Sequence, residues 1–177
     1  MGEHRLSRLS WWLHLLSTLF VICIVVAVIV VGFLFATDPD TVELTSFQVP
    51  AGVIVVGPVF WLGFAFSLIP TGFAIWAILL LRRLFRCYME REVLTANCAT
   101  LIKKSGLALL CMATSRILLQ PLVTALMSWS APPGERVLAL GFGTEDLNFF
   151  FVAGVLVVIG WAMHEAASAA EENKAFV

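Results

Sequence analysis

A chain of 177 residues that is 60% hydrophobic and only 13% charged is too apolar for an ordinary soluble domain, where about 25% charge and 45–50% apolar residues are usual. Its mean hydropathy of +0.97 agrees, and its length suggests one domain. The formal net charge of −1 gives no reason to expect direct nucleic-acid binding, yet the charges are strongly sorted along the chain.

A helix needs about 20 mostly apolar residues to cross a hydrocarbon core of about 30 Å. No Asp, Glu, Lys or Arg lies between Arg8 and Asp38, and residues 11–36 are expected to form the first span. Trp11 and Trp12 suit the interface at its start. A cleaved leader would end in small residues, whereas Leu34 stands where one is needed, so the segment reads as an uncleaved helix.

A second uncharged run extends from Leu44 to Leu81 and is too long for one crossing. Pro58 offers a start, which leaves residues 59–81 as the second span, and Pro70 inside it predicts a kink. Residues 82–105 then form a loop, whose first part, Arg82 to Arg91, is expected to extend the second helix beyond the membrane.

The third span is expected over residues 106–129. It contains Arg116, and a central arginine costs about 2.5–3.5 kcal/mol on insertion, while each Leu, Ile, Phe or Val returns about 0.3–0.6. Its apolar residues only about offset that cost, so it should insert with help from its neighbours. The fourth span, residues 147–163, is near the lower length limit, and residues 164–177 form a tail. The fold class is therefore an all-α membrane protein, a single domain of four transmembrane helices.

Nine of the eleven basic residues, namely Arg5, Arg8, Arg82, Arg83, Arg86, Arg91, Lys103, Lys104 and Lys174, fall on one side of this plan. The opposite side carries Asp38, Asp40, Glu43, Glu135, Glu145 and Asp146 against a single loop cation, Arg136. Basic residues near span ends concentrate in the cytoplasm. The expected orientation is N-in and C-in, with a cytosolic loop 82–105, a cytosolic tail 164–177, and a multi-pass location in the inner (plasma) membrane of the cell. Val42, Leu44, Phe47 and Val49, and then residues 137–142, alternate weakly, and the expectation for the short outer loops is a small β-hairpin-like cap.

Small residues allow helices to approach closely in lipid. Gly63, Ser67 and Thr71 make one stripe in span two. Gly154, Gly160 and Ala162, with Ala166 and Ala169, make another. Packing within the bundle is the expected use of both, with a homo-oligomer seam as the alternative.

No constellation suggests catalysis, and no cofactor or metal is expected. The histidines His4, His14 and His164 do not have converging ligand spacing. Cys23, Cys87, Cys98 and Cys111 form no CxxC pair and avoid the outer segments, so they read as ordinary thiols. Arg116 is the most unusual residue, with Gln120 one turn on, and the two form a candidate intramembrane polar site.

The richest polar surface is the basic loop. Leu81, Leu84, Phe85 and Tyr88 recur at helical spacing, Arg86 and Glu90 are set to pair at i,i+4, and Thr95 reads as the N-cap of a helix leading through Lys103 and Lys104. Anionic lipid at the cytosolic face is one expected partner. The run Arg83-Leu84-Phe85-Arg86-Cys87-Tyr88, then Glu92-Val93-Leu94-Thr95 and Asn97, with Lys103, Lys104 and Gly106, resembles the family numbered 2975 among bacterial domains of unknown function. The tail Glu171-Glu172-Asn173 resembles that family's ending. Arg91 stands where a glycine is usual, Leu94 where Phe is usual, and Phe176 where Thr is usual. The resemblance implies a four-helix bacterial membrane protein and no reaction. Some members are encoded beside small helix-turn-helix regulators, which by analogy implies a cytosolic regulator as partner. The functional expectation is a non-catalytic sensor, regulator or tether that presents Arg82, Arg83, Arg86, Tyr88, Glu92, Thr95, Asn97, Lys103, Lys104 and the acidic tail. The alternative is a small transporter or channel subunit built on Arg116.

Overall fold

The computed structural model describes residues 3–37, 57–90, 95–129, 136, 138 and 141–175. It contains four α-helices: α1 (Glu3–Thr37), α2 (Gly57–Met89), α3 (Ala96–Met127) and α4 (Thr144–Ala175). All four are long and apolar enough to cross a membrane, and no strand occurs among the described residues.

Each helix extends past the apolar run that identifies it. Helices of 32 to 35 residues are about 48–53 Å long at ~1.5 Å per residue, well beyond a hydrocarbon core of about 30 Å. The extensions are charged or polar, because a helix does not end where hydrocarbon ends. Thus α1 starts at Glu3, before Trp11. Helix α2 carries Arg82, Arg83 and Arg86 in its last turns, and α4 continues through the segment expected as a tail. Pro58 sits in the first turn of α2, and the helix runs on through Pro70. Proline is tolerated in a first turn because that N–H has no helical acceptor.

The start of α3 is set by Thr95. Its extended backbone (φ −105°, ψ 151°) breaks the helix, and its hydroxyl accepts from the Cys98 N–H at 3.3 Å. The expected pair of Arg86 with Glu90 does not form. Helix α2 ends at Met89 and Glu90 lies in a turn just beyond it, where the Glu90 N–H still donates to the Arg86 carbonyl at 3.1 Å while both side chains stay exposed. The expected strand at residues 42–49 lies outside the described residues. Of 137–142, positions 138, 141 and 142 are described and are irregular.

Among the described residues, contacts between elements join only chain neighbours: α1 with α2, α2 with α3, and α3 with α4. The helices therefore stand in a row, each antiparallel to the last. Gly32 of α1 lies against Phe64 of α2, and His14 against Arg82. Ala77 and Leu80 pack on Ala108, and Leu84 on Cys98 and Ile102. Lys103 meets Gly160, and Gly106 meets Ala153 and Val157.

Packing is densest around α3 and thinnest at α1. The buried core lies mainly on α2 and α3, including Leu84, Cys98, Ala99, Ile102, Ser105 and Ala108. None of the most apolar stretch of α1 is buried, and the large side chains from Leu15 to Leu34 are mostly exposed. In water such a surface would aggregate; in lipid it is solvated.

Glycine sets the spacing of α3 and α4. A Cβ on Gly160 would lie 2.5 Å from the Lys103 backbone nitrogen, and one on Gly106 would lie 2.8 Å from the Ala153 carbonyl oxygen. The buried stripe of α4 is Ala153, Gly160 and Ala167, with a spacing of seven that keeps one face toward α3. This corrects the expected stripe, of which only Gly160 is in the seam. A Cβ on Gly154 would meet nothing within 4 Å, and Ala162, Ala166 and Ala169 are exposed, since positions one or two residues off the repeat are turned about 100–200° round the helix from it. In α2, Gly63 is buried, while Ser67 and Thr71 are partly buried and spend their hydroxyls on the carbonyls of Phe64 and Ser67.

Candidate functional site

Two polar places stand out, one at each end of the α3–α4 seam. The first is built around Arg116. Gly143 caps α4: its carbonyl accepts from the N–H groups of Asp146 and Leu147. The Asp146 carboxylate reaches back to accept from the Gly143 N–H through Oδ2 at 3.0 Å. This is one half of a capping box, the third-position carboxylate on the N-cap N–H, with no side chain on Gly143 to supply the other half, and it places two carboxylates in the first turn, where the helix dipole favours negative charge.

Those carboxylates meet Arg116. The guanidinium Nε is 3.5 Å from Asp146 Oδ1, and its Nη2 is 3.5 Å from Glu145 Oε2. Asp146 is almost fully buried, with 4% of its side chain exposed, whereas Arg116 and Glu145 are 43% and 76% exposed. Asp146 Oδ1 has no hydrogen bond among the described residues, so Arg116 supplies its electrostatic partner. Arg116 thus faces two carboxylates, delivered by the first turn of a neighbouring helix. Gln120 sits one turn along α3, with Gly141 packed on its amide. Arg116, Gln120 and residues 141–146 enclose an open cleft of about 420 Å³.

The depth of this cleft follows from the α3–α4 pairing. From Lys103, level with Gly160, to Arg116, level with Asp146, α3 rises about 20 Å at ~1.5 Å per residue. Beyond Arg116 it continues to Met127, about three more turns, without α4 beside it. Helix α4 thus begins partway along α3, and the cleft occupies the space this leaves. The other cation of this end, Arg136, lies over the Trp129 ring at 5.3 Å.

The second place is the basic end. Arg82 is held inward: its Nε donates to His14 Nε2 at 3.4 Å, while His14 Nδ1 donates to the Arg82 carbonyl at 3.4 Å. Arg83 and Arg86 are exposed, as are Asn97, Lys103 and Lys104. Tyr88 and Cys87 lie against the cluster of Leu84, Cys98 and Ile102, and the Asn97 amide approaches Cys87 Sγ at 3.9 Å. Glu172 is exposed on α4, whose backbone also carries Glu171 and Asn173. Glu92 lies outside the described residues.

The sequence-derived residues thus divide into two groups that do not meet. Arg116 and Gln120 share the cleft at one end, and Arg82 through Lys104 gather at the other. His14 lies between α1 and α2, and His164 between α3 and α4. Because α1 does not touch α4, His14, His164 and Cys111 do not converge. All four cysteines are free thiols, and no group of three or more potential metal ligands occurs among the described residues. Sequence reasoning missed Glu145 and Asp146 as partners of Arg116. The available signal was Gly143 followed three residues later by Asp146 at a helix start. No family model, curated protein or solved structure matches the chain.

Proposed function

We propose that the protein is a non-catalytic membrane sensor, regulator or tether, oriented N-in and C-in in the inner (plasma) membrane, that offers its basic end to a cytosolic partner. The observation that carries this reading is the close packing of the end of α2 on the start of α3. Its interior, Leu84, Cys98, Ala99 and Ile102, is buried, and Thr95 fixes where α3 starts. Arg83, Arg86, Asn97, Lys103 and Lys104 stand exposed on this packed base. A preorganised cationic surface loses little side-chain and loop entropy on docking, and such charge steers association with an acidic partner. The orientation is supported by the nine basic residues that fall on one side of the four-span sequence plan. The resemblance of residues 83–106 to a family of bacterial membrane proteins supports a bacterial source and a regulatory partner.

The test is affinity capture of cytosolic proteins with the full chain in detergent or nanodiscs. Arg83→Glu and Arg86→Glu are the informative changes, because Arg82 is engaged with His14 and its loss would also disturb α1. Docking predicts that a specific band is lost from the correctly inserted double variant. An unchanged set of bound proteins would sink the idea.

A second reading, a small transporter or channel subunit, is favoured by the cleft of about 420 Å³ at Arg116. It is weakened by the two carboxylates already facing that arginine and by the single-row packing, which encloses no passage among the described residues. Flux through reconstituted vesicles that is abolished by Arg116→Leu would favour it over docking.

A further inference from the structure

We propose that the groove between α3 and α4 at the basic end binds one anionic phospholipid, with the phosphate held by Lys103, Lys104 and His164 and an acyl chain laid along Leu107, Val157 and Trp161. The groove has a volume of about 340 Å³ and is lined by these residues. Its floor is fixed by the fold, because α3 and α4 approach at backbone distance where Gly160 meets Lys103.

The occupant follows from two kinds of complementarity. The groove's walls are mostly apolar, and Trp161 is 64% exposed along them. One rim carries two lysines and a histidine, all exposed. Among the described residues no carboxylate forms an ion pair with Lys103, Lys104 or His164. Consecutive helix positions point about 100° apart, so Lys103 and Lys104 approach a headgroup from different directions. A free anion would leave the apolar walls without a counterpart, and a neutral lipid would leave the cations without one. An anionic phospholipid matches both, in keeping with the basic pockets between membrane helices that bind such headgroups. The Lys103–His164 level adjoins the exposed Arg83 and Arg86, where headgroups lie if this end faces the cytosolic leaflet. The proposal rests on that membrane orientation and is independent of any protein docked at Arg83 and Arg86.

The test uses the full chain in neutral detergent and native mass spectrometry, with phosphatidylglycerol and phosphatidylcholine of identical chains. One phosphatidylglycerol should be retained in preference to phosphatidylcholine. Its affinity should fall roughly tenfold in K103Q/K104Q. It should hold in R83Q/R86Q, which removes equal charge from the same end. Equal losses in the two double variants would mean diffuse surface attraction, and equal retention of the two lipids would mean no headgroup recognition. Displacement by millimolar sodium phosphate would assign the site to a free anion. Any of these overturns the proposal. Phosphatidylglycerol with brominated chains should also quench Trp161, so that W161F loses a quenched component; unchanged quenching would place the chain elsewhere. The docking experiment at Arg83 and Arg86 can fail while this one succeeds, so the two ideas fail separately.

Discussion

The two ends of α3 treat positive charge in opposite ways. At the basic end Lys103 and Lys104 are exposed on the helix surface. About 20 Å further along, by the rise of ~1.5 Å per residue, Arg116 faces Glu145 and Asp146. The difference teaches what each cation requires of the chain. A lysine exposed to water or headgroups is solvated without protein help. At Arg116 the chain supplies counter-charge from the first turn of α4. That first turn can reach Arg116 only because α4 begins partway along α3. The cleft and the ion pair are thus two consequences of one offset.

The sharpest way to break this comparison is to remove the buried carboxylate. Asp146→Leu deletes the cap contact with Gly143 and the buried one of the two carboxylates that face Arg116, and should cost about 1–2 kcal/mol, combining a lost cap with a weakened, partly exposed ion pair. Thermal unfolding of the purified protein in detergent would measure it. Adding Arg116→Leu should restore part of the loss, since residues in one ion pair couple by about 0.5–3 kcal/mol. Strict additivity would mean that the pair contributes nothing.

The seam between the two ends gives the next effect. Gly160→Ala places a methyl 2.5 Å from the Lys103 nitrogen and should destabilise by about 1–3 kcal/mol through overpacking against backbone. Gly154→Ala, on the same helix with open space around it, should be neutral or stabilising by up to about 1 kcal/mol. Equal unfolding temperatures for these two variants would remove the distinction between seam and lipid face. At the basic end, Thr95→Ala should cost about 1 kcal/mol, read as earlier unfolding or as faster amide exchange in the first turn of α3. Thr95→Ser should behave like the parent chain.

Much of this architecture is legible in residue order. Charge-free runs locate α1 and α2, because crossing hydrocarbon excludes Asp, Glu, Lys and Arg over a fixed length. Thr95 is readable as a cap because an exposed hydroxyl before a helical run has a local job. Length rules measure only the crossing, but the extensions beyond it were legible too: Leu81, Leu84, Phe85 and Tyr88 keep helical spacing up to the end of α2 at Met89, and the alanine-rich run from Ala166 to Ala170 carries α4 on to Ala175. The partners of Arg116 were hidden because they come from a different helix, and linear spacing does not report the axial offset between α3 and α4. The α4 stripe was misread by one position at Gly154, since periodicity gives the repeat and leaves its phase to the neighbour. Ala153, Gly160 and Ala167 share that phase because α3 lies on their side.

The central claim is that the basic end faces the cytosol and the Arg116 cleft faces outward. It is tested most directly by labelling with a membrane-impermeant maleimide in a background where Cys23, Cys87, Cys98 and Cys111 are replaced. Thr144→Cys, exposed beside the cleft, should label in intact cells. Asn97→Cys, exposed at the start of α3, should label only after the membrane is opened. Labelling of Asn97→Cys in intact cells, with Thr144→Cys protected until lysis, would contradict the account.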